Sequence, residues 1–249
     1  MTKLGETHQL SEIISQNIAT ATISIIIPTL NEAENIKAAL ASTQPSTHVE
    51  IIVVDGGSQD ETVKIAESLG VKVISAAAGR AKQMNAGAAI ASGEILLFLH
   101  ADTCLPVGFD VMIRKALAQP GVVAGAFALQ IGAKLPSLRV VEWGVNVRSH
   151  FLQMPYGDQA IFLTRKIFNH IGGFPELPIM EDFELIRRLR SLGKITLTSV
   201  PVITSARRWL KKGIWQTTLI NQIVIIAYFI GISPQRLRSW YRREKLKRF

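Results

Sequence analysis

Cysteine occurs once in the 249 residues, as Cys104, which excludes an internal disulfide framework and any cysteine-cluster metal site and fits a reducing compartment. With no activating neighbour in sequence, that thiol reads as a buried or incidental group rather than a nucleophile. No G-x-G-x-x-G follows the first apolar run and no P-loop lysine motif occurs, so dinucleotide-dependent dehydrogenases and P-loop ATPases are set aside. A continuous membrane span is missing as well. Ile214 to Ile232 is interrupted by Gln216, Thr217, Thr218, Asn221 and Gln222, leaving Ile223 to Ile232 apolar, whereas a span needs about 20 mostly apolar residues. Met1 to Ala21 carries Glu6, His8 and Glu12 where a secretory signal would be apolar, and is expected to form a loose arm.

What is present is enough to bury a core: 48% of residues are hydrophobic, and the length suits one large domain or a domain with an appendage. The net charge of +9 is unevenly spread. Arg207 to Phe249 carries eleven cations against Glu244, a balance of +10, which leaves the preceding residues at −1. A basic tail on a nearly neutral body points to a local anionic partner, phosphate or membrane surface, rather than to a nucleic-acid groove.

The first half alternates strand and helix. Apolar runs predict strands near residues 23–27, 49–54, 71–74 and 95–99, and helical periodicity predicts helices near 32–41, 60–69, 80–91 and 109–118. This is the βαβ pattern of a mostly parallel sheet with helices on both faces. Later, Phe127, Leu129 and Ile131 alternate like a half-buried strand, residues 181–192 read as a helix, and Ser233-Pro234 opens another. Three of the early strands end in polar clusters: Pro28-Thr29-Leu30-Asn31-Glu32, Asp55-Gly56-Gly57-Ser58 and His100-Ala101-Asp102. The carboxyl ends of strands in open α/β sheets are where ligands bind, so the three clusters are expected to share one site. A structural alternative stands beside this, since Thr29-x-x-Glu32 and Ser58-x-x-Glu61 also read as helix capping boxes.

Taken together with Asp60 and Thr62, Gly79-Arg80-Ala81-Lys82-Gln83-Met84-Asn85-Ala86-Gly87 and Met180-Glu181-Asp182-Phe183-Glu184-Leu185, these clusters resemble glycosyltransferase family 2 over residues 23–210. Gly79-Arg80, Leu99 to Asp102, Tyr156-Gly157-Asp158-Gln159 and Gly172-Gly173-Phe174-Pro175 are most similar to the bacterial subgroup called selenodomain-associated transferase 2. The resemblance implies an α/β fold of GT-A type, a Rossmann-like mixed, mostly parallel sheet flanked by helices. The expected organisation is an N-terminal arm over residues 1–22, the transferase domain over 23–210 and a basic and apolar C-terminal helical appendage over 211–249.

The resemblance also assigns roles. Pro28, Thr29, Glu32, Asp55 and Gly57 are expected around the nucleoside of a nucleotide diphosphate sugar. Arg80, Gln83 and Asn85 open a helix after a glycine, where backbone donors and cations suit an anion; Lys82 reads equally as part of a solvated face. Ala101 and Asp102 belong to the donor pocket, with Asp102 ligating Mg²⁺ or Mn²⁺ through a hard carboxylate oxygen while diphosphate oxygens and water complete the shell. The family's pair of acidic residues separated by one position is here His100-Ala101-Asp102, so only the last acid survives. The histidine is open to favouring Mn²⁺, contacting sugar or packing.

Asp182 is the expected base for the acceptor hydroxyl, with Glu181 and Glu184 as competing carboxylates or first-turn helix charges. Tyr156, Asp158, Gln159, Glu181 and Trp209 are expected on the acceptor side, and an arginine of Arg207-Arg208, with Arg207 the first candidate, over the diphosphate. The expected reaction is inverting glycosyl transfer from a nucleotide diphosphate sugar to a hydroxyl acceptor. Two alternatives stay open: a metal-dependent nucleotidyltransferase, and an inactive nucleotide-sugar or membrane-binding protein. The tail, with Ile214 to Ile232 followed by Arg236, Arg238, Trp240, Tyr241, Arg242 and Arg243, has the content of an interfacial anchor that would bring a lipid-linked acceptor to the site. Packing on the domain or on a second copy in a homodimer explains its apolar part equally. The expected location is cytoplasmic, peripheral on the inner face of the cell membrane, with no nucleic-acid partner.

Overall fold

The computed structural model describes residues 18–44, 46 and 48–243. Most of the expected N-terminal arm, including Glu6, His8 and Glu12, and the tail residues Glu244, Lys245, Lys247 and Arg248 lie outside the described residues.

The chain lays down β1 (Ile23–Thr29), α1 (Ile36–Ser42), β2 (Val49–Asp55), α2 (Thr62–Ser68), β3 (Lys72–Ser75), α3 (Arg80–Ile90), β4 (Ile95–Phe98), β5 (Thr103–Cys104), α4 (Phe109–Leu117) and β6 (Val122–Ile131). It continues with α5 (Pro136–Phe151), a 3₁₀ turn (Gly157–Gln159), β7 (Ile161–Thr164), α6 (Arg165–His170), α7 (Glu181–Arg190), β8 (Lys194–Thr204), α8 (Arg207–Lys212), α9 (Ile214–Phe229) and α10 (Pro234–Arg243). The strands form one mixed sheet in the order β3-β2-β1-β4-β7-β6-β8-β5. Its first four strands are parallel, as the alternating pattern predicts, while β7 enters antiparallel to β4 and β6, and β6 returns to parallel pairing with β8.

Side-chain alternation divides the core into two layers. Ile23, Ile25, Ile27, Leu97 and Leu99 face one cluster with Ile36 and Leu40 of α1 and Phe109 and Ile113 of α4. Ile26, Leu96 and Phe98 face the other, under Met84 of α3, Phe183 and Leu185 of α7, Val224 and Ala227 of α9 and Leu237 of α10. The described part of the tail is thus built onto the second layer. No helix among the described residues is long and apolar enough to cross a membrane.

One face of α9 remains outside this packing. Trp215, Leu219, Ile223, Ile226 and Ile230 recur at helical spacing and are all exposed. On the adjoining stripe, Trp215, Thr218, Gln222, Ile225 and Phe229 line a groove against α5.

The helix expected from residue 32 begins at Ile36 instead. Asn31 adopts a left-handed conformation with φ of 56°, and the backbone N–H groups of Asn31, Glu32 and Ala33 donate to Ser58 Oγ, Thr62 Oγ1 and Asp60 Oδ2 at 2.9, 2.8 and 3.1 Å. The hydroxyls and carboxylate that would cap their own helix tie the β1 and β2 loops together, so neither capping box forms.

Helix α3 must lie close on β1 and β2, and Gly87 permits it. A Cβ there would stand 2.5 Å from Ile26 Cγ2 and 3.0 Å from Val54 Cγ2. Gly87→Ala is expected to destabilise the fold by about 1–3 kcal/mol through overpacking, read from the urea midpoint. An unchanged midpoint would mean that the contact relaxes without cost.

Candidate active site

The register places Thr29 beside Asp55 at the ends of β1 and β2, and the Leu99 N–H donates to Ile26 O as β4 runs out towards Asp102. The three polar clusters therefore open on one edge of the sheet.

Not every polar side chain there is available to a ligand. Asp55 Oδ2 accepts from the Gly57 and Ser58 N–H groups at 2.8 and 2.9 Å, and Oδ1 accepts from Ser58 Oγ. Burial alone would raise its pKa, but these bonds outweigh it and hold the carboxyl below its ordinary range. The same bonds stabilise the turn at Gly57, whose φ is +96°. Gln83 is buried, donating Nε2 to Thr29 O and Val54 O at 2.8 Å each and accepting from Gly79 N. Asn85 bonds both the N–H and the C=O of Phe174. Gln159 is fully buried, donating to Phe127 O and accepting from Ser149 Oγ and Tyr156 N. These three amides, expected to contact substrate, are each hydrogen-bonded to backbone groups of other segments. Pro28, Thr29 and Ala101 are buried at the strand ends.

A pocket of about 260 Å³ opens where the strand ends meet α7, α8 and α10, and its lining includes Arg80, His100, Asp102, Tyr156, Asp158 and Asp182. Met180, left-handed with φ of 71°, turns the chain into α7. The first turn of that helix then divides its acids. Glu181 is buried against Arg80 at 2.6 Å. Asp182 faces the pocket, its Oδ2 accepting the Gly157 N–H and its Oδ1 the Phe183 N–H, both at 2.8 Å. Glu184, the third acid, turns away to Arg187 and Tyr228. Gly157 itself is where two functional groups converge, since a Cβ there would lie 3.0 Å from His100 Nε2 and 3.2 Å from Asp182 Oδ2. The sequence gives no sign of this approach, because the three residues come from three separate segments.

The electrostatics divide these groups further. Burial, with Arg80 adding to it, lowers the His100 pKa to about 4 against the pull of Asp182, so the imidazole is neutral at pH 7. Burial raises Glu181 despite Arg80. Burial and then the Glu32 charge raise Asp102, against the pull of Arg207. Asp158 is pushed up to about 6 by burial, only partly offset by Arg148, and its Oδ1 is buried with no hydrogen-bond partner.

The Asp158 shift carries a sign. A carboxyl whose folded pKa is raised weakens the fold as pH rises from its unfolded value towards the folded one, and the full cost stands above pH 6. Asp158→Asn is therefore expected to match the native protein near pH 4 and to exceed its stability at pH 8, by an amount on the order of 1–3 kcal/mol from the shift of 3.8 to about 6. Calorimetric melting at the two pH values checks this, because the His100 titration is common to both proteins. A gain equal at both pH values would reject the assignment.

Two arginines begin α8. Arg207 donates Nη2 to both oxygens of Glu32, at 2.9 and 3.0 Å, and so closes one side of the β1 strand end. Arg208 lines the pocket, 4.3 Å from the centre of the Tyr241 ring and 3.1 Å from Asn221 Oδ1. Trp209 is buried in the same lining, its Nε1 without a hydrogen-bond partner. Arg208 is the other arginine of the pair expected over the diphosphate, whereas Asn221 and Tyr241 were not read as site residues; the aromatic and basic content of the tail was the available signal.

Among the described residues no group of three or more His, Cys, Asp or Glu side chains gathers as a metal cage. Asp102 is a single hard oxygen donor in the pocket whose negative charge is opposed by burial and by Glu32. That donor fits a small divalent ion taking most of its shell from ligand oxygens and water.

The Glycosyl transferase family 2 model matches residues 24–174. The PGL/p-HBAD biosynthesis glycosyltransferase of Mycobacterium bovis (strain BCG) is 42% identical over 178 residues, covering 63% of this chain and 64% of that protein. Glycosyltransferase AglE of Haloferax volcanii is 39% identical over 95 residues, covering 34% and 31%. The chain thus spans less than two thirds of the length of these relatives. Among solved structures, S. aureus TarS 1-349 in complex with UDP superposes with a TM-score of 0.58 at 19% identity, covering 74% of this chain and 60% of that one. Glucosyl-3-phosphoglycerate synthase from Mycobacterium tuberculosis, in complex with Mn²⁺, UDP and glucosyl-3-phosphoglycerate, gives 0.53 at 21% identity, covering 78% and 74%. These likenesses establish a shared GT-A fold.

Proposed function

The chain belongs to glycosyl transferase family 2, and from that membership we propose that it transfers a glycosyl group, with inversion, from a nucleoside diphosphate sugar to a hydroxyl acceptor. The observation that carries this reading is the placement of Asp182 and Asp102 in the lining of one pocket at the strand ends, with Arg80 and Arg208 beside them.

In this reading the nucleoside lies over the β1 and β2 ends, near Thr29, Glu32 and the Asp55–Gly57 turn, and the diphosphate lies towards Asp102. Held by Asp102, a Mg²⁺ or Mn²⁺ ion would neutralise charge on the diphosphate. Arg80 and Arg208 supply the cationic lining for the same charge. Asp182, fixed by two backbone N–H groups, takes the proton of the acceptor hydroxyl. The acceptor oxygen bonds to the anomeric carbon as the bond from that carbon to the diphosphate oxygen breaks, and the electron pair leaves with the nucleoside diphosphate. Approach from the side opposite the leaving group inverts the anomeric centre. His100, neutral at the working pH, offers the sugar a hydrogen bond rather than a charge.

The exposed apolar stripe of α9 and the cations of α8 and α10 support peripheral attachment to an anionic membrane face, where a lipid-linked hydroxyl acceptor would be found.

The test is product analysis with a panel of UDP- and GDP-sugars and Mn²⁺. Release of nucleoside diphosphate from one donor, stimulated by an added alcohol acceptor, supports the transferase. Consumption of a nucleoside triphosphate with release of pyrophosphate would instead establish a nucleotidyltransferase.

A further inference from the structure

Helices α5 and α9 do not close on each other along their length. Between them lies a groove of about 590 Å³, within the usual range of small-molecule sites. Its walls are mostly carbon: Val140, Val145, Leu152 and Met154 on one side, Ile225 and Phe229 on the other. A groove of this size filled with water leaves a large apolar surface unsatisfied.

Its two ends differ in their surroundings. At the inner end, Tyr156, Phe183 and Ile225 line both the groove and the pocket that contains Asp182. The Arg148 guanidinium sits 3.5 Å from the Tyr156 ring centre at this junction. Away from that junction, at the first turn of α9, Trp215 lines the groove while 63% exposed, next to the apolar stripe of that helix, whereas Phe229, 69% exposed, lines it from the last turn with its ring centre 5.3 Å from that of Phe183. A free sugar would find few partners along such a passage, because the polar side chains lining it, Arg148, Tyr156, Arg190, Thr218 and Gln222, are interspersed among mostly apolar ones. A hydrocarbon chain matches it along its length.

We infer that this groove holds the hydrocarbon chain of the acceptor, an amphiphilic alcohol whose hydroxyl end reaches Asp182 past Tyr156 and Phe183. The inference rests on the proposed transferase reading and narrows its acceptor to a chain-bearing alcohol.

Gly144 provides a way to block the groove without touching the catalytic groups. It lines the groove on α5, and a Cβ built there meets nothing within 4 Å. A larger side chain would fill the space, and replacing a helical glycine also favours the helix.

The probe is 11-bromo-1-undecanol, whose bromine quenches tryptophan fluorescence and reports on Trp215. Saturable quenching is expected in the full-length protein and should be lost in Trp215→Phe. In Gly144→Phe the affinity should fall roughly tenfold or more through steric exclusion, while Gly144→Ala serves as a folding control. Competition by unbranched alcohols from 1-octanol to 1-dodecanol should strengthen roughly threefold to fourfold per added methylene. That series keeps the test decisive should Gly144→Phe fail to fold.

UDP and GDP titrations with Mn²⁺ on the same samples separate the two levels of the account. Nucleotide binding without saturable, length-dependent alcohol binding overturns the inference and leaves the transferase reading intact. Alcohol binding at the groove without any nucleotide binding overturns the identification as an acceptor site together with that reading. A dimer in sedimentation that Gly144→Phe dissociates would assign the groove to a second copy and likewise overturn it.

Discussion

Asp182→Asn is expected to lower kcat by about 10²- to 10⁴-fold, the usual cost of removing a general base, with little change in affinity for the nucleotide sugar. The cause is geometric. Both carboxylate oxygens accept backbone N–H groups, from Gly157 and Phe183 at 2.8 Å, so the side chain is held in one orientation against the pocket. An asparagine can satisfy one of these donors with its oxygen but must turn an NH₂ towards the other, which costs alignment as well as the proton acceptor. Single-turnover kinetics would separate the chemical step from binding. Glu181→Gln makes the informative comparison: it touches the Arg80 partner and not the proposed proton path, so the larger kcat loss should fall at Asp182. Equal kcat in the native protein and Asp182→Asn would remove Asp182 from the mechanism.

The second large effect is expected at Asp102. Loss of the only proposed protein ligand to the divalent ion should slow transfer by roughly 10³-fold, since charge stabilisation by a bound metal contributes several kcal/mol. The same substitution should make the metal-free fold more stable at neutral pH. Burial and the neighbouring Glu32 raise the Asp102 pKa above its ordinary value, so its charge opposes folding above that value and the opposition fades as the carboxyl protonates at lower pH. Asp102→Ala should therefore melt higher than the native protein at pH 8, and this gain should shrink towards acid pH. A functional carboxylate kept at a cost in stability produces this pairing of lost activity and raised melting temperature. Slower transfer with a lowered melting temperature at pH 8 would point to a structural role instead.

The strand ends were legible because buried parallel strands are written as continuous apolar runs, and β1, β2 and β4 stop where those runs stop. Helix α3 was legible from its glycine start and α7 from its acidic first turn. β7 was harder to read, its four buried residues giving too short a run to separate from a helix segment by periodicity. The hydrogen-bond partners of the amides were not legible for a related reason. Gln83 sits in the motif expected to meet the diphosphate, yet its partner is the Thr29 carbonyl 54 positions earlier, and sequence order carries no trace of that bond. Arg207 and Arg208 are neighbours in sequence but leave a helix about 100° apart, which sends one to Glu32 and the other into the pocket. On α9 the uniform apolarity hid three different surroundings: Val224 and Ala227 in the core, Ile225 along the groove, Ile223 and Ile226 exposed. Composition can identify such a helix as apolar, but only packing decides what each face meets.

The central claim is a metal-dependent nucleoside diphosphate site at the ends of β1, β2 and β4. Its most direct test is calorimetric titration of the native protein with UDP and with GDP, each in the presence of Mn²⁺ and again in excess EDTA. Saturable one-site binding of one diphosphate with Mn²⁺, lost in EDTA, is the expected result; the absence of binding by either nucleotide with the metal present would contradict a site there.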